Sequence, residues 1–305
     1  MTTRFTILLL LLTTTSLAQT KSLDNYFAQI RAGKYANVPA DVSKPELASG
    51  LLKSLSVYAA DTLPTVRARA AGLVRTIGLQ SKVQSVRTQA VQQLMTAAKD
   101  KDKDTGSASV MLNYLTGFRK NDFASAAKDS LYAYYQRKSG NMNTLIRLLG
   151  YLNVQKAKNE LFTLSQDGAA GRKDRWAALL ALSRMGDEQA INDVMNRVKR
   201  MPVSDALVYE VFPDLVYTRR REAFSYLLET LNSDAKNCES ADPERPSRIP
   251  CAYRVMEMLA PAIGNYPLKL SDSGDVVTSD YPAALTQVRE WFQVNKEFKI
   301  LDDKY

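Results

Sequence analysis

The sequence contains no histidine at all. That removes Ser-His-Asp and Cys-His nucleophile systems and every metal site that leans on imidazole. An enzyme built from this chain is left with carboxylate, lysine or tyrosine chemistry. A glycine-rich phosphate loop, a lysine in a nucleophile motif and the acid spacing of a calcium loop are also missing. Past the first residues, no charge-free apolar run approaches the ~20 residues that span a bilayer. Strand signals are almost absent, whereas helical ones recur throughout. Cysteine is scarce: Cys238 and Cys251 are the only two, and they frame a polar stretch carrying Pro243, Pro246 and Pro250. Two thiolates without a histidine leave a zinc site half built. A disulfide in an oxidising compartment is the expected arrangement. Closing a ring of that size is worth ~3 kcal/mol in the chain-entropy model.

The N-terminus carries the pattern of a secretory signal peptide. Arg4 supplies the positive start, Phe5 to Leu12 form an apolar core interrupted by Thr6, and Ser16-Leu17-Ala18 offers small residues at the recognition positions. Cleavage is expected before Gln19, leaving 287 residues (305 minus 18). The cleavage point has no cysteine for a lipid anchor, so the expected location is periplasmic or secreted. The formal charge of +9 becomes +8 once Arg4 is removed. A basic surface of this kind attracts anionic polymers or simply solvates a face.

What the chain does have is a period. Ile146, Leu149, Leu152, Ala157 and Leu161 reappear 33 residues later as Leu179, Leu182, Met185, Ala190 and Val194. Leu215, Ala223 and Leu227 match three members of that set in a third copy. Leu112, Leu115 and Phe118 precede the first copy with a one-residue slip. A fixed period of this length on helical spacing marks stacked helical hairpins.

Individual helices are legible around it. Ser43-Lys44-Pro45-Glu46 reads as a capping box opening a helix to about Tyr58. Asp61 to Pro64 starts another, with Val66, Ala70, Leu73 and Ile77 on one stripe. A third runs from Ser81, turning Val83, Val86, Ala90, Val91, Leu94 and Met95 inward. The mixed charges of Lys99 to Asp104 read as a frayed end and loop. Pro213 and Pro261 should kink or end the helices that hold them. Asp280 and Pro282 start a last helix through about Lys296, with Leu285, Val288, Trp291 and Phe292 as its apolar face.

The segment Asp174 to Asp187 (DRWAALLALSRMGD) resembles the second helix of a HEAT repeat, of the phycobilisome-lyase-like subtype. Val66-Arg67-Ala68-Arg69-Ala70-Ala71 with Leu73, Ile77 and Gly78 looks like the same element 108 residues earlier, and Val86-Arg87 with Ala90 and Leu94 is a looser copy. The resemblance implies an all-α chain forming a right-handed α-solenoid of stacked antiparallel helix pairs. Such arrays usually bind proteins on a concave face. The resemblance also implies that Arg67 and Arg175 are structural, joining a hydrogen-bond ladder with turn aspartates such as Asp61, Asp167 or Asp174. The organisation expected is a signal peptide over 1–18, an N-terminal cap over 19–42, repeats over 43–232 and a disulfide-clasped loop with capping helices over 233–305.

Candidate contact residues follow from charge and aromaticity. Arg219-Arg220-Arg221 is the densest cationic cluster and falls where the period places a turn. Aligned with Arg172, Lys173 and Arg175 and with Arg197, Lys199 and Arg200, it would form a stripe able to track phosphates or sulfated glycans. Asp187, Glu188 and Glu222 interrupt that stripe. Fifteen tyrosines are many for this length. Tyr132 and Tyr135 share a helical face while Tyr134 points elsewhere, so at least one should be exposed. Tyr209, Tyr217 and Tyr226 recur in later repeats, where tyrosine either packs between helices or supplies interface area with a polar tip. The acid pairs open to a glycoside-hydrolase reading, Glu239 with Asp242 and Asp302 with Asp303, lie in loops or the tail without an apolar setting. The expected function is therefore non-enzymatic, with no cofactor: a scaffold for another protein through Tyr132, Tyr135 and Arg219–Arg221. Binding of an anionic polymer is the alternative, and a two-carboxylate hydrolase stands behind both.

Overall fold

The computed structural model describes residues 21–98, 105–138, 141–240, 244, 246–271 and 274–305. The signal-peptide segment, the Lys99–Asp104 loop and Asp242 lie outside them. Among the described residues the regular elements are helices apart from one two-residue antiparallel pair, and no helix is long and apolar enough to cross a membrane. Contacts divide the chain into two compact units, Met1–Leu145 and Ile146–Tyr305.

In the first unit, α1 (21–31) turns Leu23, Tyr26 and Phe27 inward, and Phe27 stacks on Tyr58 of α2 (Ala48–Ala59) at 3.9 Å between ring centroids. The capping box expected at Ser43 does not form. Residues Ala40–Ser43 and Pro45–Leu47 make separate 3-10 turns, with Lys44 extended between them, and α2 begins only at Ala48. Pro45 has no N–H for Ser43 to cap, and the residue before a proline is pushed out of the helical region. The next helix, α3 (Pro64–Gln80), starts on its proline and buries Val66, Ala70, Leu73 and Ile77. In α4 (Gln84–Ala97) the inward set is Val86, Ala90, Val91, Leu94 and Met95. Val83 was expected with them but is the extended N-cap residue and is 56% exposed. Helices α2, α3 and α4 pack in succession, and Gly78 lets α3 approach α4 where a Cβ would lie 2.6 Å from that of Ala90. Then come α5 (Thr105–Leu115) and α6 (Ser125–Gln136).

The second unit takes in the end of α7 (Met142–Tyr151), then α8 (Lys158–Gln166), α9 (Arg172–Arg184), α10 (Glu188–Val198), α11 (Asp205–Glu210), α12 (Phe212–Thr218) and α13 (Arg221–Leu231). Its centre is α9, where Ala177 to Ser183 are all buried, as befits a helix packed on every side. Burying each of its leucines contributes roughly 2 kcal/mol. Pro213 separates α11 from α12 as expected, occupying the first turn of α12. The disulfide Cys238–Cys251 forms, joining the ends of the short pair β1 (Cys238–Glu239) and β2 (Arg248–Ile249) to α14 (Ala252–Leu259). Pro261 lies in a 3-10 turn just past α14. Asp280 caps α15 (Tyr281–Val294) by accepting from the Ala283 N–H.

The 33-residue period has a backbone counterpart in this unit. Asn153, Gly186 and Arg219 stand 33 apart, and all three have positive φ, at 53°, 90° and 56°. Each is followed by an N-cap residue of the next helical element: Val154, Asp187 and Arg220. One left-handed residue that closes a helix, followed by one that opens the next, is thus used three times in the same register.

Candidate functional site

The residue two places before each of these left-handed joints is Tyr151, Arg184 or Tyr217, again 33 apart. Each is at or one residue from the end of α7, α9 or α12. Gly150 brings two of these ends together, since a Cβ there would sit 2.6 Å from Ala181 Cα and 2.7 Å from Tyr217 Oη. The result is a sandwich. The Arg184 guanidinium carbon is 4.8 Å from both the Tyr151 and the Tyr217 ring centroid, and its side chain is 0% exposed. Desolvated stacking of this kind is worth ~2 kcal/mol.

The sandwich grips the end of the described chain. After α15, residues 299–301 run beside 262–264, with Gly264 N–H donating to Lys299 O and Leu301 N–H to Ala262 O, both at 2.8 Å. Residues 302–305 then enter the arginine–tyrosine cage. Arg184 Nη2 donates to Lys304 O at 2.5 Å and reaches Asp302 Oδ1 at 3.4 Å, while its Nη1 donates to Tyr217 O at 2.7 Å. Tyr151 Oη donates to Asp303 O at 2.7 Å, and Arg219 Nη2 to Tyr305 O at 3.2 Å. The Tyr305 ring meets Tyr151 edge-on at 5.6 Å and Tyr217 at 5.3 Å. Behind the cage, Tyr217 Oη donates to Arg147 O, Arg147 pairs with Asp214 at 2.7 Å, and Trp176 Nε1 donates to the other Asp214 oxygen.

The electrostatics follow from this packing. Burial pushes the Tyr305 phenol up to about 12, against the pull of Arg147 and Arg184, and drives Tyr217 further up still. Burial, reinforced by the nearby Arg184 charge, lowers Arg219 to about 10. At neutral pH both phenols are therefore neutral hydroxyls, and the positive charge resides on guanidiniums. Guanidinium N–H groups, phenolic O–H groups and ring faces together hold carbonyls, carboxylates and aromatic rings.

The residues singled out from the sequence fall as follows. Arg219–Arg221 do lie at the turn between α12 and α13, but not as a stripe facing outward. Arg219 is spent on Val216 O and Tyr305 O, and Arg220 on Glu188 (2.5 Å) and Glu222, two of the acids that interrupt the basic run. Arg221 donates to Lys296 O and Phe298 O and lies over the Phe298 ring. Tyr132 and Tyr135 belong to α6 of the first unit, with centroids 6.5 Å apart. Tyr135 is buried at 8%, Tyr134 is buried with its hydroxyl on Met95 O, and only Tyr132 is half-exposed. Arg67 donates to the carbonyls of Asp61 and Thr62, and Arg175 to that of Asp167, whereas the Asp61 carboxylate pairs with Arg31. Arg67 and Arg175 thus each meet an expected turn aspartate, Asp61 or Asp167, at its backbone carbonyl. Tyr151, Arg184 and Tyr305 were not singled out, although the period could have found the first two. No protein-family model, no curated protein and no solved structure matches this chain.

Proposed function

We propose that this chain is a non-enzymatic, exported helical-repeat scaffold that binds another protein, with its helices stacked as a HEAT-like solenoid. The observation that carries the reading is the Tyr151–Arg184–Tyr217 sandwich, in which Tyr151 Oη and Arg184 Nη2 donate to the backbone carbonyls of a polypeptide segment. A site that takes main-chain carbonyls, an aromatic ring and a carboxylate at once is suited to peptide, and none of its groups has to act as nucleophile or base. The threefold joint at Asn153, Gly186 and Arg219 supports the repeat reading, as do the helix-start arginines Arg67 and Arg175 on turn carbonyls. The Cys238–Cys251 disulfide supports export. The rim cations Arg220 and Arg221 would add contacts around this core, and Tyr132, half-exposed on α6 of the first unit, would offer a contact of its own. The engagement of all three consecutive arginines by the chain itself weighs against a phosphate-tracking stripe.

The test is capture from native envelope and medium with the full chain as bait, in low and high salt, alongside a variant carrying Arg220→Ser and Arg221→Ser. A discrete protein kept in both salts by both baits is expected. Nucleic acid or glycan that is shed in high salt and lost with the variant would replace this reading by polyanion binding.

A further inference from the structure

We infer that residues 302–305 occupy a peptide-binding cage as an exchangeable ligand, and that the cage also takes a partner's acidic segment bearing a tyrosine. This inference rests on the scaffold reading and names the chemistry of its partner. Three observations carry it. First, the occupant Asp302-Asp303-Lys304-Tyr305 is held by chemistry that transfers to any such peptide: its carbonyls accept from Tyr151, Arg184 and Arg219, and its ring lies against Tyr151 and Tyr217. Second, the fit is incomplete. Arg184 Nε and Arg219 Nε are buried without a hydrogen-bond partner among the described residues. A buried donor without a partner forfeits its hydration with nothing in return, the more so when charged. The carboxylate nearest to Arg184, that of Asp302, stands 3.4 Å away and is 58% exposed. A peptide that seats a carboxylate closer would satisfy donors that the present occupant leaves idle. Third, charge is complementary, with Arg184 reaching Asp302 and Arg219 reaching Tyr305 O in an occupant that carries two adjacent acids.

Exchange is set by competition. A tethered segment acts at an effective concentration of roughly millimolar, so a free peptide of the same sequence should be excluded until the tether's own contacts are weakened. The tether itself is short, since residues 299–301 are paired with 262–264 immediately before the cage.

The test uses the full chain and a dye-labelled peptide of residues 300–305, Ile-Leu-Asp-Asp-Lys-Tyr, read by fluorescence anisotropy. Tyr305→Gly removes the tethered ring without touching the cage. It should raise peptide affinity at least about tenfold over the unaltered chain, while replacing both peptide aspartates by asparagine should lower it at least about tenfold. Equal uptake by the two chains, or uptake indifferent to the aspartates, overturns the proposal. Hydrogen exchange on the unaltered chain is a second, mutation-free measurement. Amides of 303–305 should exchange at least about tenfold faster than those of α9, and exchange only as slow as α9 overturns the proposal as well. Failure of the scaffold reading looks different: neither chain retains a protein from envelope or medium, while peptide uptake persists.

Discussion

Arg184 shows how much of the second unit's chemistry is decided by single side chains. Its guanidinium is stacked between two phenols, donates to two carbonyls and faces a carboxylate, and it reaches this place because Gly150 admits the α9 backbone. Gly150→Ala should therefore destabilise the chain by about 1–3 kcal/mol, because the intruding Cβ meets backbone rather than a side chain that can swing away. Urea unfolding followed by circular dichroism measures it, and an unchanged midpoint would show that α7 and α9 have room to part. Arg219 is the other residue whose local geometry conflicts with its identity. A left-handed helix stop is usually glycine, and an arginine held there bears backbone strain so that its side chain can reach Tyr305.

At the scale of elements, the caps divide into those the sequence announces and those it hides. Asp187 accepts from the Ala190 N–H and opens α10, as the Gly186-Asp187 turn suggests. Asp187→Ala should cost about 1 kcal/mol, read as a lowered unfolding midpoint, and no change would mean that solvent satisfies the Ala190 N–H in its place. Proline starts and stops at Pro64, Pro213 and Pro261 were legible because they depend on a missing N–H and a locked φ alone. Ser43 misled because a capping motif is a statement about side chains, and Lys44 next to Pro45 had already set the backbone against it. The period gave the positions of helix ends, and with them the register of Tyr151, Arg184 and Tyr217. It could not reveal residues 302–305 as their occupant, because that contact joins segments more than 80 residues apart and leaves no local pattern.

At the scale of the whole molecule, buried phenols set the response to base. Tyr58 and Tyr305 are raised to about 12, chiefly by burial, and burial raises Tyr217 and Tyr266 further. Folded, these groups keep their protons where the unfolded chain loses them, so the stability they contribute is complete below pH 10 and drains away as pH climbs past 10 and through 12. Arg219, lowered to about 10, works in the opposite direction over the same range but is one group against four. We expect part of the tyrosine absorbance change to be delayed beyond the ordinary phenol range and to coincide with loss of the helical signal. A single ionisation step with helices intact would contradict it.

The joints at Asn153, Gly186 and Arg219 also bear on how this chain tolerates change in length. A single residue inserted in α12 ahead of Tyr217 turns the side chains beyond it in that helix by about 100°, which takes Tyr217 out of line with Arg184. An insertion absorbed by the loop over 199–204 leaves α12 in phase. Whole added segments of 33 residues would preserve the joints but carry residues 302–305 past the rings that receive them. Length in this part of the molecule is therefore free to vary in the loops and quantised in the helices.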